Sequence, residues 1–482
     1  MVTRAIFHFT HDLRLDDHAG LARAGAAGDV IPVLVVDPAL GARLRRSPRR
    51  AAYYCDAVRA LDAALQRLGT RLIVRRGNAA TILRGLARAT GAATTVWSAS
   101  YDALGARADR DLQAALEEAG IAVATTFDAA AVPPDETSAA REAAGEGYRS
   151  FTAYYAAWRG FAPQPVASRP QFATTEIASE ALPFAAEFGS SIETLGALDE
   201  GAVRAQLERF LEGPVLNYAA ARHVPSAGAT SRLSAPLSFG LLGARTVVAA
   251  LRARGEDPFL LTEERASLAL FERALAQRDF FLQLAHFYDS IEEAPLQGKM
   301  RRFTFAKTHP ALDAWRSGRT GYPLVDAAMR ELRATGWMHP RLRAVAASFL
   351  CFDLGVDWRV GRDEWERYLI EDEPALASGN WQWVAGVGAD LAAYPRIYNP
   401  LKQARRFDPA ASYVRKWIPE LAARPDYAIL DPGAADRTHQ VELPLFGESR
   451  YPAPVVDHEV AARAFLERYK KEVAAAPAAL PF

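Results

Sequence analysis

Hydrophobic and polar positions change rhythm twice along this chain. Over the first 130 residues or so, short apolar runs alternate with longer stretches whose apolar residues recur three and four positions apart. The runs at 5–9 (AIFHF), 31–37 (IPVLVVD), 71–75 (RLIVR), 94–98 (TTVWS) and 122–127 (AVATTF) predict β-strands. The stretches at 51–68, 79–90 and 105–119 predict helices, followed by Gly69, Gly91 and Gly120, a residue that readily takes the left-handed conformation ending a helix. Strands alternating with helices of this length imply a parallel sheet covered on both faces, a Rossmann-like α/β domain over 1–131. Over 132–199 the rhythm dissolves into Pro, Ser, Thr and Gly, broken by one aromatic helix at 148–161, and this segment is expected to be an interdomain linker. Residues 200–482 return to helical spacing with no convincing strand, so a larger all-α domain is expected there, with a fraying end near Ala474.

Composition narrows the class. Half of the 482 residues are hydrophobic and 24% are charged, which is globular and not disordered. Lys and Arg number 57, as do Asp and Glu, so a general polybasic coat is excluded while a local basic groove is not. The two cysteines, Cys55 and Cys351, cannot supply a disulfide framework, a four-cysteine zinc site or an iron–sulfur cluster. The start, MVTRAIFHFTHDLRLDD, is charged too early for a signal peptide, and no run of about 18 apolar residues appears. A cytoplasmic protein without membrane spans is the expectation. No histidine set has metal-ligand spacing, and neither G-x-S-x-G, a Walker loop, nor a G-x-G-x-x-G turn after the first strand is present. No metal is expected, and nucleotide binding needs another mode.

Two concentrations of chemistry stand out. TSRLS at 230–234 offers hydroxyls, a guanidinium and backbone N–H groups ahead of a helical stretch, which suits a diphosphate or a plain helix cap. Seven of the nine tryptophans lie between Trp315 and Trp417, either as core filler or as an aromatic electron relay or stacking platform.

The long segments GYPLVDAAMRELRATGWMHPRLR (321–343), DWR (357–359), WQW (381–383) and YPRIYNPLKQARRFDPAASYVRKWIPEL (394–421) resemble the FAD-binding domain of the cryptochrome/DNA photolyase family. FTHDLRLDDHAGL (9–21) and SPRRAAYYCDAVRALDAAL (47–65) are similar to that family's N-terminal domain, in the same order. The resemblance implies a folded-back FAD in the helical domain beneath a DNA groove, with an α/β domain able to hold an antenna. By residue, it implies that Tyr218, Thr230, Ser231, Arg232, Leu233 and Ser234 hold the phosphates. It places Arg278 and Asp279 at a cofactor-lining Arg-Glu pair, and Trp337, Met338 and Arg343 around the flavin. Glu371 and Glu373 fall at acidic loop positions that are usually Asp, with Asp372 nominated by a one-residue slip. Trp381 and Trp358 match the inner members of the tryptophan chain that reduces photoexcited flavin.

The departures are informative. Phe305 stands at the third relay position, where the family usually has Trp, so the outer hop must use Trp315 or another donor, or fail. Ala377 stands beside the flavin's reactive nitrogen, where the family carries Asn, Asp or Cys. In the lesion pocket, Ala274 and Gln277 replace Glu and Trp, and Pro340 replaces Asn. The two histidines of the enzymes that repair (6-4) products are matched by Pro340 and Ala344. Arg341, Arg396, Arg301, Arg302 and the KQARR run at 402–406 are phosphate-gripping candidates or an ordinary solvated face. The family's folate-binding Asn-Glu pair falls on Leu104–Gly105, so folate is unsupported and the identity of any second chromophore stays open. Arg49, Arg50, Arg75 and Arg76 could face such a chromophore or cap element ends. The expectation is a monomeric photolyase-type lyase that repairs pyrimidine lesions in UV-damaged DNA; the alternatives are a cryptochrome-like photoreceptor without repair activity and, more weakly, a light-independent FAD-binding scaffold.

Overall fold

A computed structural model describes residues 3–142, 146–167, 169–174, 176–196, 198–389, 394–437 and 451–474. Five strands form one parallel sheet: β1 (Arg4–Phe9), β2 (Asp29–Val36), β3 (Ile73–Arg76), β4 (Thr94–Ser98) and β5 (Ala122–Thr126), in the order β3-β2-β1-β4-β5. Ile6 pairs with Ile31 on one side and Thr95 on the other. The runs of β1, β2 and β4 are apolar and buried, as a parallel sheet flanked by helices requires, whereas the edge strand β5 is only partly covered. Pro32 is tolerated in β2 because it lies one residue before β3 pairing begins at Val33, where its missing N–H leaves no ladder bond unmade. The helices Pro48–Arg67, Ala79–Thr90 and Ala103–Glu118 follow the expected spacing, and Ser47, Asn78 and Asp102 cap their first turns.

The chain packs as two compact units that do not run in sequence order. The first comprises Met1–Leu216, Ser231–Asp289 and Ile370–Leu376; the second comprises Asn217–Thr230, Ser290–Leu369 and Ala377–Phe482. The expectation drew borders after 131 and after 199. The chain instead carries the long helix Thr262–Phe287 and a short stretch from the far C-terminal half within the first unit, for reasons set by ion pairs described below. The expected linker has structure of its own: Phe151–Trp158 is helical, Gln171 and Ala173 lie beside β2, and Ser179 and Glu180 lie beside β3. There Ala173 N donates to Val30 O and Glu180 N to Val74 O, which covers a sheet edge that would otherwise be open. Among the described residues no strand follows β5. The second unit is a helical core built around Trp315, Met329, Phe349, Leu350 and Trp358, all nearly inaccessible to solvent.

Candidate functional site

In the first unit, the turn at 231–233 precedes the short helix Ser234–Ser238. Arg232 is left-handed there, with φ 54°, at a cost of roughly 1–2 kcal/mol for a residue with a Cβ. Such strain is found where a turn must present its groups in one direction. Gln206 holds the turn from below, its Nε2 donating to Ser231 O at 2.9 Å and Arg232 O at 3.3 Å. The carbonyls are thus occupied, while Thr230 and Ser231 are half-buried and Arg232 and Ser234 exposed. Hydroxyls and a guanidinium on a turn whose acceptors are already used make a donor set that fits a diphosphate. Tyr218, in the second unit, is half-buried beside Arg222.

Arg278 and Asp279 lie on the helix Thr262–Phe287 and turn their charges into the protein. Asp279 Oδ2 accepts from Ala131 N (3.0 Å), Val132 N (3.1 Å) and Trp158 Nε1 (2.9 Å). Burial pushes its pKa up to about 6, against the pull of Arg278 and these three donors. Arg278 donates to Ala129 O and Glu373 Oε1, each at 2.5 Å. Ala274 and Gln277 stand three apart on the same helix, both partly exposed.

The acidic stretch at 371–373 divides its labour. Asp372 receives Arg43 Nε at 2.7 Å and lies 3.2 Å from Arg50 Nη1, while Arg43 Nη1 also meets Asp102 at 2.8 Å. Burial raises the Asp372 pKa, but the Arg43 and Arg50 guanidiniums outweigh it and hold the carboxyl well below the usual range. Arg50 Nη2 donates to Glu371 O, and Glu371 and Asp372 are both buried. Asp372 is therefore an anchoring residue, a role the sequence did not suggest. Arg76, a chromophore candidate, spends its guanidinium on Glu187 and Glu180.

At the carboxyl ends of β1 to β4 a cavity of about 380 Å³ opens, lined among others by His8, His11, Asp37, Ala80, Ser100 and Asp109. This is the topological switch point of the sheet, between β1 and β4, where open α/β sheets take ligands. The Nδ1 atoms of His8 and His11 are buried without a hydrogen-bond partner. Burial pushes the His8 pKa down to about 4, so this imidazole is neutral at physiological pH. Asp109 is raised to about 6 by burial, against donors from Ser100 and Trp97. At Gly105 an added Cβ would lie 2.5 Å from Ser100 Cβ, so the position cannot take a larger residue without movement, in keeping with the missing folate pair.

In the second unit, Met338 is fully buried and Arg343 Nε donates to its carbonyl at 2.9 Å, while Trp337 lies half-buried beside His339. His339 Nδ1 accepts from Arg341 N and so caps the helix Pro340–Ser348, whose first residue, Pro340, is exposed. Arg341 Nη2 lies 3.1 Å from both ring nitrogens of His223, and its guanidinium packs over Phe407 at 5.0 Å. Burial and then Arg341 lower the His223 pKa to about 4, leaving a neutral imidazole that accepts from the cation. Sequence reasoning missed His223, which lies 118 positions from Arg341. Arg396 is exposed.

Ala377 and Trp381 stand four apart on one face of the helix Pro374–Val384. Trp381 is 3% exposed and its ring centroid lies 4.4 Å from that of Trp365. Trp365 in turn stacks on Trp315 at 6.4 Å with an interplanar angle of 16°. Trp358 shares the helix Trp358–Trp365, and Arg359 and Arg362 lie 5.6 and 5.3 Å from its ring centroid. Phe305 packs against Phe303 and Phe465.

A doubly wound sheet with a cavity at its switch point and a helical unit rich in buried indoles are the two parts of the chain. The chain matches DNA photolyase over residues 5–171 and the FAD binding domain of DNA photolyase over residues 271–471. It is 35% identical over 476 residues to the deoxyribodipyrimidine photo-lyase of Halobacterium salinarum, covering 94% of this chain and 96% of that protein. The bacterial class III photolyase of Agrobacterium tumefaciens superposes with a TM-score of 0.84 at 30% identity, covering 98% of each chain. An archaeal photolyase from Sulfolobus tokodaii, solved with two FAD molecules, superposes with a TM-score of 0.81 at 27% identity, covering 97% of this chain and all of that one. The chain belongs to the DNA photolyase family, and an FAD-binding domain is present.

Proposed function

We propose that this protein is a light-driven lyase that splits cyclobutane pyrimidine dimers in UV-damaged DNA, with FAD as its cofactor. The similarity to the deoxyribodipyrimidine photo-lyase of Halobacterium salinarum along nearly the whole length of both chains carries this reading. Pro340 and Ala344, at positions where the enzymes for (6-4) products use histidine, favour the cyclobutane lesion. FAD, when bound, would supply light-driven one-electron chemistry. The residues of the chain bind and orient. Thr230, Ser231, Arg232 and Ser234 hold the diphosphate, with Leu233 buried beneath the turn. Met338, Trp337, Arg343 and Ala377 are the residues that would border the isoalloxazine ring. Ala377 presents a methyl where relatives present a hydrogen-bonding group, so no side chain there delivers a proton to the ring. Ala274 and Gln277 in the first unit, and Pro340 in the second, stand at the family's lesion-recognition positions, and Arg341, set by His223, and Arg396 grip phosphates.

A second chromophore fits the cavity at the carboxyl ends of β1 to β4. Its lining sets apolar Phe9, Val35 and Leu112 beside polar His8, His11, Ser100 and Asp109, a mixture that suits a flat heteroaromatic ligand, and about 380 Å³ is within the usual size of a small-molecule site. A flavin or deazaflavin is the proposed class, supported by the two FAD molecules of the Sulfolobus tokodaii relative. A monomeric, cytoplasmic enzyme acting on blue light completes the reading.

The test is illumination of the purified yellow protein with a reductant and an oligonucleotide containing one thymine dimer. Recovery of thymine absorbance is expected; protein that holds flavin yet leaves the dimer intact under light would overturn repair in favour of a photoreceptor.

A further inference from the structure

We infer that photoreduction in this chain runs through Trp365, along Trp381, Trp365 and Trp315, and not through the Trp358 branch. The inference rests on the FAD reading above and deepens it, by naming the relay that feeds that cofactor.

The helix Trp358–Trp365 places its two tryptophans seven residues apart, hence on one face, with Gly361 between them. A Cβ added at Gly361 would fall 2.2 Å from Trp381 Cη2 and 2.4 Å from Leu350 Cδ2. The glycine is therefore the slot in which the Trp381 indole lies against this helix, between the two candidate donors. Trp381 is a branch point.

The branches are unequal. Toward Trp365 the rings touch at a centroid distance of 4.4 Å, and Trp365 continues to Trp315 by a stacked contact at 6.4 Å. Toward Trp358 no ring contact with Trp381 exists among the described residues. Electrostatics separates the branches further, because the guanidiniums of Arg359 and Arg362 lie 5.6 and 5.3 Å from the Trp358 ring centroid. A cation is attracted to the electron-rich face of a neutral indole, and the same field repels a positive hole on it. Asp357 and Asp363 pair with these arginines and blunt the field, but the guanidiniums are the groups over the ring. Beyond Trp358 the outer position is Phe305, set among Phe303 and Phe465, rings far harder to oxidise than indole.

One electron passes from Trp381 to the light-excited, oxidised flavin. Trp365 refills Trp381, and Trp315 refills Trp365, so each hop oxidises one indole by one electron and restores its neighbour. Trp315 Nε1 donates to Ala346 O at 3.0 Å, and an amide carbonyl is no base, so the hole waits on Trp315 as a protonated cation. An added thiol returns the electron and releases its own proton to water. Because Trp315 is fully buried, this last step is slow and the hole long-lived.

The experiment follows flavin photoreduction and tryptophan-radical absorbance after a flash, in holoprotein with thiol, for the parent and for W365F, W365Y and W358F. W365F is expected to slow photoreduction at least tenfold more than W358F and to remove the long-lived radical, with W365Y intermediate. Phe305→Trp added to W365F is expected to restore reduction by completing the other branch. A W358F loss equal to or greater than that of W365F would overturn the proposal. Flavin content and melting temperature are read on every variant, so a colourless parent defeats the FAD reading and a misfolded W365F is recognised, with W365Y then carrying the comparison. The near-ultraviolet circular dichroism of protein stripped of flavin gives a readout independent of photochemistry. An exciton couplet from Trp365 and Trp381 is expected and should vanish in W365F; a parent without it would remove the ring contact on which the branch stands.

Discussion

Asp279 gathers three donors on one carboxylate oxygen inside the first unit, and that arrangement has two energetic sides. Removing the acceptor in Asp279→Ala strands two backbone N–H groups and an indole N–H, each worth about 1–3 kcal/mol when buried and unpaired, so at least about 3 kcal/mol of stability should be lost. The charge itself is unwelcome. Its pKa is raised from 3.8 to about 6, so the folded state keeps the proton to higher pH than the unfolded chain does. The stabilising contribution is therefore fully present below about pH 4 and is lost as pH rises toward 6, about 3 kcal/mol in all. Asp279→Asn retains an acceptor without the charge, and its melting temperature relative to the parent should rise across that interval. A constant difference from pH 4 to pH 7 would show that the carboxyl does not titrate there. At the relay, Trp381→Phe should block photoreduction of oxidised flavin, and unchanged reduction kinetics would remove Trp381 from the relay. The residue types of these sites were legible, but their partners were not. Asp372 meets Arg43 across 329 positions, and no local pattern encodes which distant cation a carboxylate will find.

Elements were easier to read than contacts, because periodicity is local. The strand at 94–98 and the helix at 79–90 fall where the apolar spacing puts them, and Asn78 and Gly91 bound the helix as side-chain cap and left-handed end. At 71–75 the expected strand begins two residues early, since Leu72 N is taken by Asp62 before the ladder with β2 starts. The expected aromatic helix shrinks to Phe151–Trp158 because Gly160 and Pro163 close it. On the helix Trp358–Trp365, Gly361→Ala forces a methyl against Trp381 and should cost about 1–3 kcal/mol as overpacking, with a changed near-ultraviolet dichroism. A variant with parental stability and spectrum would mean that Trp381 does not seat there. At the sheet, Ala80→Trp should fill the switch-point cavity and remove any second chromophore while FAD stays bound, as read by pigment extraction. Loss of both pigments together would tie the cavity to folding and not to ligand binding.

At the scale of the whole molecule, a formal charge of zero hides local asymmetry. The helix Pro400–Phe407 exposes Lys402, Arg405 and Arg406, and among the described residues Arg405 of these pairs with a carboxylate, Asp431 at 3.0 Å. If this face grips phosphates, Lys402→Ala and Arg406→Ala should each weaken damaged and intact duplex alike and reduce the slope of log affinity against log salt by about 1. Variants with the parental slope would return the face to ordinary solvation. Architecture was legible at this scale as an α/β part and a helical part. The interleaving of the two units was not, because it depends on charge pairs that only the folded chain brings together.

That interleaving bears on how the protein is made. The buried Arg50 and the half-buried Arg43 both meet Asp372, so the first unit is incomplete until the ribosome has passed that codon. At roughly 5–20 residues per second, the nascent sheet waits on the order of ten to thirty seconds after residue 216 without the Asp372 carboxylate, while Arg43 is held by Asp102 alone. A polypeptide truncated near that residue is accordingly expected to need chaperone protection and to refold poorly, and excising the sheet as a stand-alone fragment calls for a neutral replacement at Arg50.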